Sequence, residues 1–464
     1  MTTYETDVLV AGGGLGGIAA ALASARAGAK TLLVERNTYP GGVATAGMCC
    51  SVFNCYFTRS RNLIVRGIPL EIADLLAEAG GPGSSWRRHK GHIIYDIEKA
   101  KLALADILER EGIKVFYETM AGSAILEGKR LAGLNIVSKQ GPGEIRAKTT
   151  VDATGDADVA ALAGTPLKRV QNENINSSYV FRLGNVDLDR FTDYFREHPD
   201  QYPANMDIEW SLEEALAQYK ENGTFLFPHG GGMQLEIVKK GLQSGELREK
   251  LGMYDTLDAM QMHGIRQTGV MHVITGHVRV NSLDPELISR ALTDGKRAAY
   301  HVADFYRKRL PGFENAYICG LADNLGIRAS RYIDGEFTFT KSMKSSPSRF
   351  GDAVGQGVVE EHPVMHPGQR AWGCQVFTED VYQIPYSCLI PRETGGLIMG
   401  AGRSLSAESP ALLRVMAITM VAGQAAGTAA ALCARNGWDP GGAEVPAIQR
   451  ELARQGLVLE GVSA

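Results

Sequence analysis

One stretch of about thirty residues near the start constrains this chain more than any other. Asp7-Val8-Leu9-Val10-Ala11 is followed by Gly12-Gly13-Gly14-Leu15-Gly16-Gly17, then by small and apolar residues to Ala27, then Gly28. A second apolar run, Thr31 to Val34, ends at Glu35 and Arg36. Short apolar runs between turn signals predict buried strands, and the stretch of mainly small and apolar residues between them predicts a helix. Two strands joined by a helix lie parallel, so the fold class is α/β.

The spacing Gly12-x-Gly14-x-x-Gly17 is weak by itself, because 54 of 464 residues are glycine, about 12 % against a usual 7 % or so. Its place between strand and helix gives it meaning. Gly12 permits the sharp turn, Gly14 lets backbone N–H groups reach a pyrophosphate, and Gly17 lets the helix pack on the strand. The helix N-terminus, beginning at Leu15, then faces the phosphates. Glu35 is expected to accept hydrogen bonds from an adenosine ribose, and its charge disfavours a 2′-phosphate. NAD and FAD satisfy these residues equally well.

Three further segments separate the two. Each resembles a part of the two-dinucleotide-domain flavoproteins. Gly41-Gly42-Val43-Ala44-Thr45-Ala46-Gly47 resembles the loop that passes the pyrophosphate and reaches the isoalloxazine. Val151-Asp152-Ala153-Thr154-Gly155-Asp156 resembles their Ala-Thr-Gly strand end. Gly400-Ala401-Gly402-Arg403, with Arg414-Val415-Met416 and the small-residue run after it, resembles their carboxy-terminal flavin motif. The chain is thus similar to the bacterial FAD-dependent oxidoreductases of the glutathione-reductase-like superfamily, distantly related to fumarate reductase and succinate dehydrogenase flavoproteins. The resemblance implies FAD held by Gly12, Gly14, Leu15, Gly17, Glu35, Arg36, Gly42, Thr45, Ala46, Gly47, Gly155, Asp156, Gly402, Arg403, Val415 and Met416. It also implies a discontinuous Rossmann-type FAD-binding domain, 1–167 and 341–464, with an inserted α+β substrate domain at 168–340. The late helix would aim its positive end at the flavin N1 and C2 carbonyl.

Charge and composition exclude other classes. A formal charge of −4 and a pI near 6.2 lack the positive field that nucleic-acid binding needs. The compact basic cluster Arg87-Arg88-His89-Lys90 reads as a solvated loop. Val415 to Ala434 is uncharged over membrane-spanning length, but Ala, Gly, Thr and Gln424 suit a close-packed buried helix better than a lipid-facing one. No membrane span is expected. Seven scattered cysteines make no disulfide framework, and no apolar signal opens the chain, so a cytoplasmic location is expected.

For catalysis, the resemblance implies His362, in Glu360-Glu361-His362, as an acid or base, although the family's pattern begins with Asp. It also implies Arg328 or Arg331 as an oxyanion holder, with structural ion pairing the alternative. His263, Arg266, His272 and His277 lie close in sequence without metal-ligand spacing, and His272 and His277 are candidates for a substrate cleft over the flavin. Cys50 and Cys55 have a redox-pair spacing but sit too late after Gly41-Gly42. A second nucleotide fingerprint is missing, since Gly230-Gly231-Gly232 follows no clear strand. The expected activity is hydride exchange between flavin N5 and a small organic substrate, with an unknown electron donor or acceptor. Flavin monooxygenases are a close rival, although Gly402-Arg403-Ser404 stands where their Gly-Asp-Ala-Ala-His segment belongs. A flavin-containing isomerase or hydratase, and a redox-silent binding protein, remain open.

Overall fold

The computed structural model describes residues 2–52, 55–81, 86–88, 93–169, 176–203, 211–228, 235–255, 261–345, 348–361 and 375–459. The apolar run at the start forms β1 (Thr2–Ala11), whose Val8, Leu9 and Val10 are fully buried. It lies parallel between β2 (Thr31–Val34) and β8 (Gly141–Asp152), and β5 (Lys114–Phe116) extends the sheet beyond β2. Such strands, covered on both faces, read as continuous apolar runs. Between β1 and β2 runs α1 (Leu15–Arg26), buried from Leu15 to Ser24.

The other edge of β8 is shared. Its first half pairs antiparallel with β7 (Arg130–Ser138), which pairs with β6 (Met120–Glu127). Its last three residues pair parallel with β20 (Leu397–Met399). Strands β6, β7 and β8 are therefore one meander that runs into the parallel sheet.

The long uncharged helix α10 (Met416–Asn436) crosses α1 with backbones in contact. A Cβ on Gly423 would lie 2.1 Å from the Gly16 carbonyl oxygen, and one on Gly427 would lie 2.0 Å from that of Ala20. Only glycine permits that approach. Of the described helices, α10 alone is long and apolar enough to cross a membrane, yet its apolar window is 89 % buried inside the protein. Gln424 accepts from the Ile68 N–H (3.2 Å), and Thr428 donates to the Gln455 side chain (3.3 Å). These contacts tie α10 to α2 (Ile68–Gly80) and to the end of α11 (Val445–Arg454). Around them pack α3 (Ile97–Arg110), capped by Asp96, and the short α4 (Asp158–Leu162).

A second sheet is built from β10 (Asn176–Gly184), β11 (Thr224–Phe227), β14 (Gln261–Ile265), β15 (Val270–Arg279) and β16 (Tyr317–Leu321), in the order β11-β14-β15-β10-β16. The short β12 (Lys250–Leu251) and β13 (Tyr254–Asp255) pair beside β15. Its helices are α5 (Leu188–Glu197), α6 (Leu212–Asn222), α7 (Glu236–Gln243) and α8 (Pro285–Arg309). The chain leaves the first layer through β9 (Leu167–Arg169) and returns through β17 (Arg331–Ile333), which pair antiparallel. After the four-residue α9 (Ser342–Ser345), the hairpin of β18 (Ala353–Glu361) and β19 (Gln375–Pro385) returns to α10, and Gly355 meets Val421. A further ribbon, β3 (Ser51–Val52) with β4 (Ile93–Ile94), lies against β14.

Candidate functional site

A groove enclosing ≈ 1320 Å³, open solvent included, runs along the carboxyl ends of β1, β2, β8 and β20. Open α/β sheets bind ligands at this end. Its floor is the turn between β1 and α1, where each expected glycine has a distinct task. A Cβ on Gly12 would lie 2.6 Å from the Ala153 carbonyl oxygen, and one on Gly17 only 1.8 Å from that of Gly12. Gly17 therefore serves strand–helix packing and does not line the groove. Gly14 differs, because a Cβ there would meet nothing within 4 Å and would project into open groove. That bare backbone at the start of α1 fits a pyrophosphate.

Glu35 closes the floor. Its Oε2 accepts from the Gly13 N–H at 2.6 Å, while Oε1 accepts from the Asn37 N–H and side-chain amide at 2.8 and 2.7 Å. Two carboxylate oxygens offer about four lone-pair directions, so one remains for a ribose hydroxyl. Arg36 lines the groove beside it. Gly41, Gly42 and Val43 form the next wall. Thr45, Ala46 and Gly47 stand behind: Thr45 donates to the Pro40 carbonyl (2.7 Å), and the Ala46 carbonyl accepts from Asp323 and Asn324 (2.9 and 3.1 Å). Gly47 packs on Val43.

Arg403 joins three distant segments. Its guanidinium donates to the Gly155 carbonyl (2.8 Å), the Asp156 carboxylate (2.9 Å) and the Ile327 carbonyl. Arg403 thus fixes the wall that Gly155, Asp156, Ile327 and Gly402 present to the groove. Arg331 donates to the Asp156 carbonyl (3.0 Å) and pairs with Asp158. Burial, then the neighbouring Asp156 and Asp152 carboxylates, push Asp158 up to about 6, against the opposing charges of Arg331 and Arg36. Met416 and Thr419, from the first turn of α10, complete the groove with Arg414, while Val415 caps the helix just outside it.

The catalytic candidates separate. Arg328 meets the second sheet, its Nη1 3.2 Å from Nε2 of His277. His272 lies on the same sheet, 1 % exposed and paired across strands with His263. Burial, assisted by the Arg182 charge, pushes His272 down to about 3, so it is neutral, with one ring nitrogen a donor and the other an acceptor. Arg266 turns away to Tyr219 and Asp189. His362 lies outside the described residues, as do His89, Lys90 and the Gly230–Gly232 run. Arg87 and Arg88 pair with Asp74 and Glu221.

The six cysteines among the described residues form no disulfide. Burial pushes Cys49 up, against the charges of Arg328 and Arg414 nearby, and pushes the buried Cys50 up further. Asp158, Arg182 and Gln261 were not singled out by the sequence, and Arg414, part of the flavin motif Arg414-Val415-Met416, carried no site role there.

A parallel sheet with a phosphate-sized glycine turn, an acid at the second strand and a helix terminus at the far end of the groove defines a dinucleotide-dependent enzyme. Residues 7–452 match the FAD dependent oxidoreductase family, and the chain belongs to it; it is an enzyme whose cofactor is FAD. A digeranylgeranylglycerophospholipid reductase of Thermoplasma volcanium is 28 % identical over 302 residues, 61 % of this chain and 68 % of that protein. A thiamine thiazole synthase of Aeropyrum pernix is 37 % identical over 165 residues, 32 % of this chain and 55 % of that protein. Among solved structures, a geranylgeranyl bacteriochlorophyll reductase-like protein of Thermoplasma acidophilum shares 14 % identity, with TM-score 0.43 over 98 % of this chain and 83 % of that one. A p-nitrophenol 4-monooxygenase of Pseudomonas putida shares 12 %, with TM-score 0.44 over 98 % and 84 %.

Proposed function

We propose that the enzyme exchanges a hydride between FAD and a small organic substrate held between the groove and the second sheet, residues 168–340 serving as the substrate domain. One observation carries this reading. The segment Asn324–Arg328 serves both layers, with Leu325 and Ile327 walling the groove while the next residue, Arg328, contacts His277 of the second sheet. A substrate between them is shielded from water. Bound FAD supplies a two-electron centre at N5.

The chain's own residues supply position and charge. Gly12, Gly14 and Leu15 hold the pyrophosphate against the start of α1, Glu35 and Arg36 the adenosine, and Gly42 the approach to the ring. The first turn of α10 brings partial positive charge to the ring end, favouring the reduced, anionic form. His277, oriented by Arg328, and His362 are the groups assigned to proton transfer. The relationship to glutathione-reductase-like and fumarate reductase flavoproteins belongs to the same reading and rests on the three flavin segments.

The test is a substrate screen by anaerobic bleaching of the flavin band. Bleaching by one compound class, reversed by an electron acceptor, is the expected result. Substrate conversion with the band unchanged throughout would instead make the protein an isomerase or hydratase.

A further inference from the structure

The second sheet has two buried faces of opposite character. Cross-strand neighbours share a face, so the registers sort its side chains. One face carries Phe225, Phe227, Met262, Val273 and Phe181. It is packed by α5, whose Phe195 ring lies 5.6 Å from that of Phe227, and by α8, where Gly295 meets the Tyr179 ring. The other face aligns Arg182, His272 and His263 across three strands, with Gln261 opposite Ile274 one step along. Water does not reach His263, His272 or Gln261, which are 0 %, 1 % and 1 % exposed, and only the Arg182 end, 12 % exposed, approaches solvent.

This polar face looks toward the cofactor layer. Arg182 donates to Glu98 at the start of α3 (2.8 Å), the β3–β4 ribbon lies against β14, and the bulge at Gly276 returns His277 to the same face, where Arg328 meets it. Buried polar groups without partners are costly, so native interiors pair them. Here Oε1 of Gln261 and Nε of Arg182 lack a hydrogen-bond partner among the described residues, beside the buried His272 ring, which bonds to the His263 backbone. Two unmet polar atoms beside a neutral imidazole on one buried face, against an opposite face of mainly apolar side chains, mark a place where something else bonds.

We propose that this face is the substrate-recognition wall, and that it takes a small carboxylate that also carries a hydroxyl or amino group. The Arg182 Nε–H is a charged donor that matches a carboxylate oxygen. Gln261 Oε1 accepts only, so it needs a donor on the ligand, and the neutral His272 serves either kind. An apolar chain leaves both the Gln261 and the Arg182 atoms unmet. This assignment rests on the proposed function, because it supposes that the substrate lies between the two layers.

The test uses anaerobic holoenzyme, calorimetry and the flavin difference spectrum. The probes are two- to six-carbon hydroxy and amino carboxylates, the methyl ester and deoxy analogue of each, and a long-chain alkenol in detergent. At least one acid is expected to bind at least tenfold more tightly than its ester and its deoxy analogue. Gln261→Leu and His272→Gln are expected to weaken that binding about tenfold with FAD content and Tm retained, and Gln261→Glu, which keeps an acceptor, to lose less than Gln261→Leu. Binding by no acid, equal binding of acid and ester, binding of the alkenol alone, or unchanged affinity in a folded Gln261→Leu protein would each overturn the assignment. The two readings fail separately. An acid that binds selectively without bleaching the flavin contradicts hydride exchange and sustains the recognition wall, whereas bleaching by the alkenol alone does the reverse.

Discussion

Gly14→Ala isolates the cofactor contact from the fold. Gly14 has φ −67° and ψ 175°, a conformation any residue adopts, and an added Cβ meets nothing within 4 Å. The free protein therefore keeps its fold and, with less unfolded-chain entropy to lose, gains about 0.4–1 kcal/mol. The methyl group would occupy the space where a pyrophosphate approaches the backbone. Losing one charge-assisted hydrogen bond costs about 1.5–3 kcal/mol, which corresponds to about 10- to 160-fold weaker FAD binding. Thermal unfolding of apoprotein and fluorescence titration with FAD measure the two effects. Gly17→Ala is the internal contrast, because its Cβ would strike the Gly12 carbonyl at 1.8 Å and should lower Tm. FAD affinity within twofold of wild type in folded Gly14→Ala protein would refute a pyrophosphate over Gly14, and a large fall in apoprotein Tm would refute the open space above it.

Asp158 makes FAD affinity depend on pH. Its folded pKa is raised to about 6, and an anionic pyrophosphate in the same groove favours its protonated form. Affinity should accordingly fall as pH rises through 6, and the dependence should vanish in Asp158→Asn; titrations at pH 5 and 7.5 decide this. Glu35→Ala, unlike Gly14→Ala, should lower both apoprotein stability and FAD affinity. It strands the Gly13 N–H, a buried donor whose lost partner costs about 1–3 kcal/mol, and removes the remaining acceptor for ribose, as Tm and titration together would show.

The cofactor half was legible because its physical demands are local. A turn that must approach a phosphate, a helix that must touch a strand and an acid at a strand end each restrict one residue at one spacing. Of strand β8 only the end at Val151–Asp152 is evident in the sequence, for an identifiable reason. Its first half alternates between buried and exposed beside the meander, while Thr149–Asp152 is wholly buried between parallel strands, so one strand carries two periodicities. The substrate side was less legible. Gln261-Met262-His263-Gly264-Ile265 alternates polar and apolar as an ordinary half-solvated strand does, and a period of two reveals which face is polar without revealing what that face meets. Arg328 and Arg331 likewise differ only in neighbours brought from elsewhere, His277 for one and Asp158 for the other.

The position of α10 bears on how the enzyme is made. While a ribosome is still synthesising residues before about 400, the end of β8 has no β20 beside it, and the glycine and alanine carbonyls of α1 lie bare where Gly423 and Gly427 will later press. Arg403, Arg414, Met416 and Thr419 are also missing from the groove at that stage. The second sheet suffers no such delay, because its strands all fall between Asn176 and Leu321. A nascent chain therefore completes its second sheet first and captures flavin only after α10 has emerged, with an open strand edge and an uncovered apolar helix in the interval, the kind of surface that chaperones bind.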